Sequence, residues 1–310
     1  MADGDVNPQA YAFAHLTDPH LPLRPGDAPP WMLLGKRITG YLSWTGNRRH
    51  IHRPEVLDAL IEDIRAQAPD HVAVTGDLAN ISVAGEFARA GDWLSALGPA
   101  AEVTAVPGNH DAYARIAGEK GLDRWAANMR GDGAPDAAVR FPFLRRRGPV
   151  AFIGLSTAQP TAPLMAHGTL GEDQIAALDR LLAETAEEGL CRVVMLHHPP
   201  AGKGAADWRK GLKDRDAFAR VIAERGAELV LHGHIHHWVL SWLAGPGGPV
   251  PVLSAASASA ADVRGAEPAN WNLVRVAGGP GAWRISAETR RLTGDGEFAE
   301  LRCTDLAPSA

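Results

Sequence analysis

Five clusters of oxygen- and imidazole-bearing residues each stand directly behind a short apolar run, and this repeated pairing constrains the chain more than any other feature. They are Asp18-Pro19-His20, Gly76-Asp77, Gly108-Asn109-His110-Asp111, His197-His198-Pro199-Pro200 and Leu231-His232-Gly233-His234-Ile235-His236. The runs before them, residues 11–16, 71–75, 102–106, 191–196 and 228–231, read as buried strands. Strands that each end in such a cluster set hard oxygen and imidazole donors along one rim of a sheet, where open α/β folds build their sites. Taken singly the clusters say little: Asp18-x-His20 is a common turn pair, and Gly76-Asp77 is an ordinary turn. Their joint occurrence, in this order, points to two metal ions.

A binuclear site needs about seven donors, one of them a carboxylate that bridges ions roughly 3.5–4 Å apart. Asp18 and His20 are alternate residues, so in extended backbone their side chains point the same way and clamp one ion. His234 and His236 share that spacing and can be divided between the two ions. Asp77 is placed to bridge, Asn109 offers a neutral amide oxygen and His197 another imidazole. Carboxylate, amide and imidazole without thiolate suit manganese, iron, zinc, cobalt or nickel. His198, His232 and His237 read as supporting or structural residues. Asp111 either orients His110 or caps a helix starting at Tyr113.

The order Asp-x-His, Gly-Asp, Gly-Asn-His-Asp, His and Gly-His-x-His resembles the calcineurin-like metallophosphoesterases. Within that superfamily the chain is most similar to the bacterial cyclic-nucleotide and glycerophospho-diesterase branch, through His197-His198-Pro199-Pro200, Gly211-Leu212-Lys213-Asp214-Arg215-Asp216-Ala217-Phe218 and Leu231-His232-Gly233-His234. The resemblance covers roughly residues 11–256. It implies Asp18, His20, Asp77 and His236 on one metal, Asp77, Asn109, His197 and His234 on the other, and an unligated His110 that meets the phosphate. It also implies two divalent or trivalent ions, manganese, iron or zinc foremost, and hydrolysis of a phosphodiester by a metal-activated hydroxide. His110 and Asp111 are the catalytic candidates.

Composition agrees with an α/β enzyme. The 310 residues, 45% hydrophobic, can bury a large core, and a net charge of −5 argues against a nucleic-acid polymer as partner. Two cysteines, Cys191 and Cys303, suggest no disulfide framework, so a reducing compartment fits. Residues 1–9 lack the apolar segment of a secretory signal, and no run of about 18 apolar residues exists, so the expected location is cytoplasmic, with attachment at the inner membrane face left open.

Helices are expected after Pro54 (Val56, Leu57, Leu60, Ile61, Ile64), across Phe87, Trp93, Leu94 and Leu97, behind a Thr169–Glu172 capping box, and at Phe218, Val221 and Ile222. Strands follow at 250–254, 271–276, 283–289 and 298–303, with a hairpin at Gly278-Gly279-Pro280-Gly281. The expected architecture is a four-layer αββα sandwich, two mixed β-sheets flanked by helices. Residues 1–256 form the core with a lid-like insert at about 21–50, and 257–310 add strands that complete the second sheet, as one domain overall. Ser254 begins a small-residue stretch, 254–261, near the metal rim.

The substrate is least constrained. The insert interleaves Trp31, Leu33, Leu34, Tyr41 and Trp44 with Lys36, Arg37, Arg48 and Arg49. That mixture suits an acyl chain plus phosphate, or an anionic bilayer touched through 31–49, but equally a lid packed over the sheet or a dimer contact. A second basic loop carries Lys203, Trp208, Arg209, Lys210 and Lys213; with Trp31, its Lys203, Trp208 and Arg209 are the candidate substrate-binding residues. Three functions follow: a phosphodiesterase for cyclic nucleotides or glycerophosphodiesters, a peripheral hydrolase of a lipid-linked phosphoester similar to the UDP-diacylglucosamine hydrolases, and, remotely, a non-catalytic scaffold. The partner in the first is a small phosphoester.

Overall fold

The computed structural model describes residues 10–33, 35–114, 118–133 and 138–306. Leu34 and residues 1–9 lie outside them. Among the described residues the strands are β1 (Tyr11–Leu16), β2 (His71–Val74), β3 (Val103–Ala105), β4 (Phe143–Arg147), β5 (Val150–Gly154), β6 (Cys191–Met195), β7 (Leu229–His232), β8 (Leu240–Leu243), β9 (Val250–Ser254), β10 (Asn270–Ala277), β11 (Arg284–Leu292) and β12 (Phe298–Asp305). They form two six-stranded sheets, ordered β12-β11-β10-β1-β2-β3 and β4-β5-β6-β7-β9-β8. β1, β2 and β3 run parallel, as do β5, β6, β7 and β9. Antiparallel strands flank both groups, so each sheet is mixed.

The sheets face each other across an apolar layer. Phe13 of β1 meets Phe152 of β5 edge-on at 5.1 Å between ring centroids, and His71 of β2 stacks on the same Phe152 at 4.6 Å. Helices cover the outer faces. α1 (Lys36–Ser43) and α2 (Arg49–Ile51) belong to the insert; α3 (Pro54–Gln67), α4 (Ala84–Leu97), α5 (Gly171–Glu187) and α6 (Arg215–Arg225) belong to the core. α3 begins with proline at its first position and buries the expected stripe of Val56, Leu57, Leu60, Ile61 and Ile64, each worth about 1.5–3 kcal/mol of burial. It stops where Ala68 turns left-handed (φ 45°) and returns its N–H to Ile64. Among the described residues no helix is long and apolar enough to cross a membrane.

The expected strands and the four helices expected from apolar stripes are found, with two differences. The C-terminal strands β10–β12 complete the sheet that β1 begins, rather than the sheet of the second half. The Thr169–Glu172 box does not cap α5. Asp214, far along the chain, accepts the Thr169 hydroxyl and the Leu170 and Gly171 N–H groups at 3.0, 2.8 and 2.7 Å, so a tertiary carboxylate takes over the local cap. The β4–β5 hairpin adds a buried cation that the sequence does not advertise. Of its three successive arginines, Arg145 lies inside and directs its guanidinium to the carbonyls of Ala100, Val103, Ala127 and Arg130.

Candidate metal centre

The parallel strands β1, β2 and β3 of one sheet and β6 and β7 of the other end on the same side, and the five clusters follow them there. Asp18, His20, Asp77, Asn109 and His197 are buried, and His234 and His236 lie partly so. The backbone that presents them is not extended, contrary to the alternation argument. Strand β1 ends at Leu16, and Asp18 (φ 52°), His20 (41°), Asp77 (58°), His234 (73°) and His236 (53°) are all left-handed. Five of the eight non-glycine residues with positive φ among the described residues are thus candidate ligands. Such conformations cost about 1–3 kcal/mol each and persist only where surroundings over-determine them.

The donor atoms converge. Asp77 Oδ2 lies 3.9 Å from His20 Nε2 and 3.4 Å from His197 Nε2, between two imidazoles. On the first side, His20 Nε2 is 3.1 Å from His236 Nε2, and Asp18 Oδ1 is 3.2 Å from His236 Nε2. On the second, Asn109 Oδ1 is 3.2 Å from His197 Nε2, and the His234 ring stands 5.2 Å from that of His197. Backbone carbonyls hold the other face of each ring: His20 Nδ1 sits 3.2 Å from Ala79 O and His197 Nδ1 2.7 Å from Thr75 O. An N–H there leaves each Nε2 as a lone pair for an ion. Among the described residues Asp18 Oδ1 and His234 Nε2 are buried with no hydrogen-bond partner, which is costly unless a cation takes them. The donor set therefore fits two metal ions.

Electrostatics point the same way. Burial raises the carboxyls of Asp18 and Asp77, yet both are held low, Asp18 chiefly by His236 and Asp77 chiefly by His197. Burial, with neighbouring positive groups, keeps His20 and His234 well below the ordinary imidazole range. Burial opposes protonation of His197 too, but Asp77 and then Asp18 hold it up at about 9, a proton standing where a cation's charge would act. Gly76 and Gly233 make the convergence possible. A Cβ at Gly76, whose φ is 94°, would lie 2.6 Å from Gly108 N; one at Gly233 would collide with Thr17 Oγ1 and lie 2.7 Å from Asp18 Oδ2.

His110 Nδ1 lies 2.6 Å from Asn80 O, which turns Nε2 toward the cleft. Burial and then Arg48 lower the ring to about 4. Asp111 neither orients that ring nor caps a helix at Tyr113: no helix among the described residues starts there. Its carboxylate accepts the N–H groups of Asp77, Ala79 and Gly108 at 2.9, 2.8 and 2.8 Å and so braces the loops carrying the donors. Burial first, then the charge of Asp77, pushes it up to about 8.

The insert, which runs to Arg53, packs over the site. Lys36 reaches Thr161 and Met165, and Arg37 bonds the carbonyls of Ile81 and Ser82 at 3.1 and 2.9 Å. Arg48 enters the centre, with Nη2 2.8 Å from His20 Nε2 and Nη1 3.3 Å from both His110 ring nitrogens. These three basic residues therefore do not form an outward surface with Arg49. Trp44 is buried; Trp31 (74% exposed), Ile38 (48%) and Leu42 (61%) face outward, and Leu34 lies outside the described residues. Beside the donors opens a cleft of about 490 Å³ bordered by Lys36, Arg48, Tyr113, Met165 and Lys210. Trp31, Lys203, Trp208 and Arg209 do not line it: Trp208 is 69% exposed and Arg209 is tied to Leu164 O. Sequence reasoning missed Arg48, His52 and Tyr113 as residues of the site. The spacing of four from Trp44 through Arg48 to His52 was the available signal.

Residues 11–238 match the family model described as calcineurin-like phosphoesterase. A probable cyclic nucleotide phosphodiesterase from Synechococcus sp. is 31% identical over 186 residues, 57% of this chain and 62% of that protein, so the match spans less than two thirds of the relative's length. Among solved structures, a dimetal phosphatase from Danio rerio superposes with a TM-score of 0.62 at 14% identity, over 96% of this chain and 99% of that one. A purple acid phosphatase from yellow lupin (Lupinus luteus) gives 0.57 at 13% identity, over 94% of this chain and 53% of the other. At these identities the structural likeness is one of fold.

Proposed function

The chain belongs to the calcineurin-like phosphoesterase family, and from that premise we propose that it is a binuclear metal-dependent phosphodiesterase acting on a small diester of the cyclic-nucleotide or glycerophosphodiester type. One observation carries the reading: Asp77 Oδ2 lies between His20 Nε2 and His197 Nε2 at 3.9 and 3.4 Å, as a bridging carboxylate must. In this reading Asp18, His20, Asp77 and His236 hold one ion, and Asp77, Asn109, His197 and His234 the other. When bound, two such cations make a hydroxide available near neutral pH and neutralise phosphoryl oxygens.

The chain's own groups do the rest. Asp111 keeps the Asp77 and Gly108 turns in register. His110, anchored through Nδ1, presents Nε2 to the leaving oxygen. Its lowered pKa means that protonation awaits an anion in the cleft, whose charge favours the imidazolium. Arg48 stands beside His20 and His110; with the His20 Nε2 lone pair given to an ion, the guanidinium is released for a phosphoryl oxygen, and Lys36 and Lys210 border the space for the ester arms. The cleft volume suits a small ligand, and the Synechococcus relative's name supports the cyclic-nucleotide class. Exposed Trp31, Ile38 and Leu42 favour a second reading, a lipid-linked phosphoester. A panel with added manganese separates them: bis-p-nitrophenyl phosphate, cyclic AMP, glycerophosphodiesters and UDP-diacylglucosamine. Turnover confined to the last overturns the first reading; no turnover of any, in protein carrying two metals, overturns both.

A further inference from the structure

The donors from the strand ends are joined by an imidazole from elsewhere. His52, where the insert returns to the core, places its ring 4.7 Å from that of His20 and 5.7 Å from that of His236. One nitrogen from each of these three rings lies within 4.8 Å of the others. Two donors on one ion with bonds of about 2.0–2.1 Å stand at most about 4 Å apart, so the three nitrogens lie within or near the reach of a single ion. We propose that His52 is a further ligand of the first ion, so that the insert completes the metal centre instead of merely covering it. This rests on the binuclear reading above and deepens it.

Hydrogen bonding orients the ring. Ser257 Oγ donates to Asp18 O at 2.6 Å, and a carbonyl can only accept. Ser259 Oγ, 3.3 Å from Ser257 Oγ, can then donate to it, which leaves Ser259 Oγ to accept from His52 Nδ1 at 2.8 Å. The arrangement that satisfies all three contacts puts the proton on Nδ1 and the lone pair on Nε2, as a ligating imidazole requires. Trp44 stacks parallel to the ring, 6.5 Å away with 10° between planes, and shields it. Backbone contacts pin the turn: Arg53 N donates to Ser259 O at 2.9 Å and Ala261 N to Ile51 O at 2.8 Å. The 254–261 stretch is built of small, mostly buried residues, which lets the insert approach this closely.

The consequence is an asymmetric pair of sites. The first gains a third imidazole beside Asp18 and Asp77; the second has two, with Asn109 and Asp77. Nitrogen-rich sites favour the later first-row ions, so the first position would take zinc or cobalt in preference to magnesium.

The test is equilibrium dialysis of the full chain against cobalt(II), with visible absorption and thermal melting, for wild type, His52→Asn and His52→Gln. Asparagine can reproduce the Nδ1 contact with Ser259 but not Nε2; glutamine reaches toward the Nε2 position. Wild type should bind two ions. His52→Asn should keep one ion at wild-type affinity, bind the other at least about tenfold more weakly, as outer partners of ligands alone are worth about 10–100-fold, and show an altered cobalt spectrum. His52→Gln should fall between. Two ions at wild-type affinity with an unchanged spectrum in a folded His52→Asn protein overturns the inference and leaves the binuclear reading intact. Fewer than two ions in wild type overturns that reading itself. If the asparagine variant does not fold, unaltered binding and spectrum in His52→Gln overturn the inference in its place.

Discussion

The strand-end loops and the insert both reach the centre, but they are held by different means. Asp18, His20, Asp77, His234 and His236 sit on strained left-handed backbone, and the loops around them are locked by hydrogen bonds of 2.7–3.2 Å to the Asp111 carboxylate and the carbonyls of Thr75 and Ala79. The insert approaches on one run of helical turns, α1 through α2, tethered along its length by long side chains, Lys36 to Thr161 and Arg37 to Ile81 and Ser82, and pinned by backbone contacts where it returns to the core at His52 and Arg53. Strained, over-determined backbone fixes donor geometry within narrow limits. A surface helix on flexible side chains can adjust by larger amounts at little cost. The loops, with His52 at the end of the insert, should therefore set the chemistry, and the insert ahead of His52 should set what is bound; graded substitutions can separate the two.

The largest effect belongs to Asp77. Asp77→Ala removes the carboxylate between the two imidazoles, so both ions should be lost and turnover should fall to background. Asn109→Ala should weaken only the second site. Full occupancy of Asp77→Ala protein by elemental analysis would show that the loops do not share a bridging donor.

His110→Ala comes next, with metal content intact and kcat lowered by about 10²–10⁴-fold. The loss should shrink for esters with good leaving groups, which need less protonation. Loss of metal in this variant would move His110 into the donor set.

Arg48→Met tests the insert's share. A charge-assisted hydrogen bond to phosphate is worth about 1.5–3 kcal/mol, so inhibition by inorganic phosphate should weaken by about 10–100-fold. Metal content should not fall, because a guanidinium is no ligand and like charges repel. If phosphate inhibition is unchanged, the insert takes no part in phosphoryl binding, and the distinction between the regions loses its functional half.

The two regions also differ in how far the sequence alone reveals them. The loops announce themselves because ligand chemistry restricts residue type, and the strands before them alternate with helices of clear 3.6-residue period, as in Val56 to Ile64. The left-handed turns at Asp18 and His20 do not show, since neither residue type demands that conformation. The insert misleads because Lys36, Arg37 and Arg48 carry apolar stems that let a cation be buried when acceptors lie within reach. Those acceptors, the carbonyls of Ile81, Ser82 and Met165 and the ring of His20, come from other parts of the chain. Arg145 is hidden for the same reason, and so is Asp214 as the cap of α5.

The smallest effect concerns the outward face of the insert, where Trp31, Ile38 and Leu42 project while the neighbouring cations point inward. An apolar patch left with a single surface arginine is poorly matched to an anionic bilayer, where each nearby Lys or Arg contributes about 1 kcal/mol. Of the four candidates only Arg49 remains at the surface, so reversing all four charges would damage the site before it tested any membrane. Replacing Trp31, Ile38 and Leu42 together by serine leaves those contacts alone. Stability should change by no more than about 0.5 kcal/mol per site, as at ordinary surface positions. Hydrolysis of bis-p-nitrophenyl phosphate and of a soluble glycerophosphodiester should match wild type. The decisive comparison is the same diester presented in anionic vesicles: equal rates for both proteins keep the insert as a lid over a small-diester site. A loss confined to vesicles would make its outer face a docking surface and favour the lipid-linked substrate.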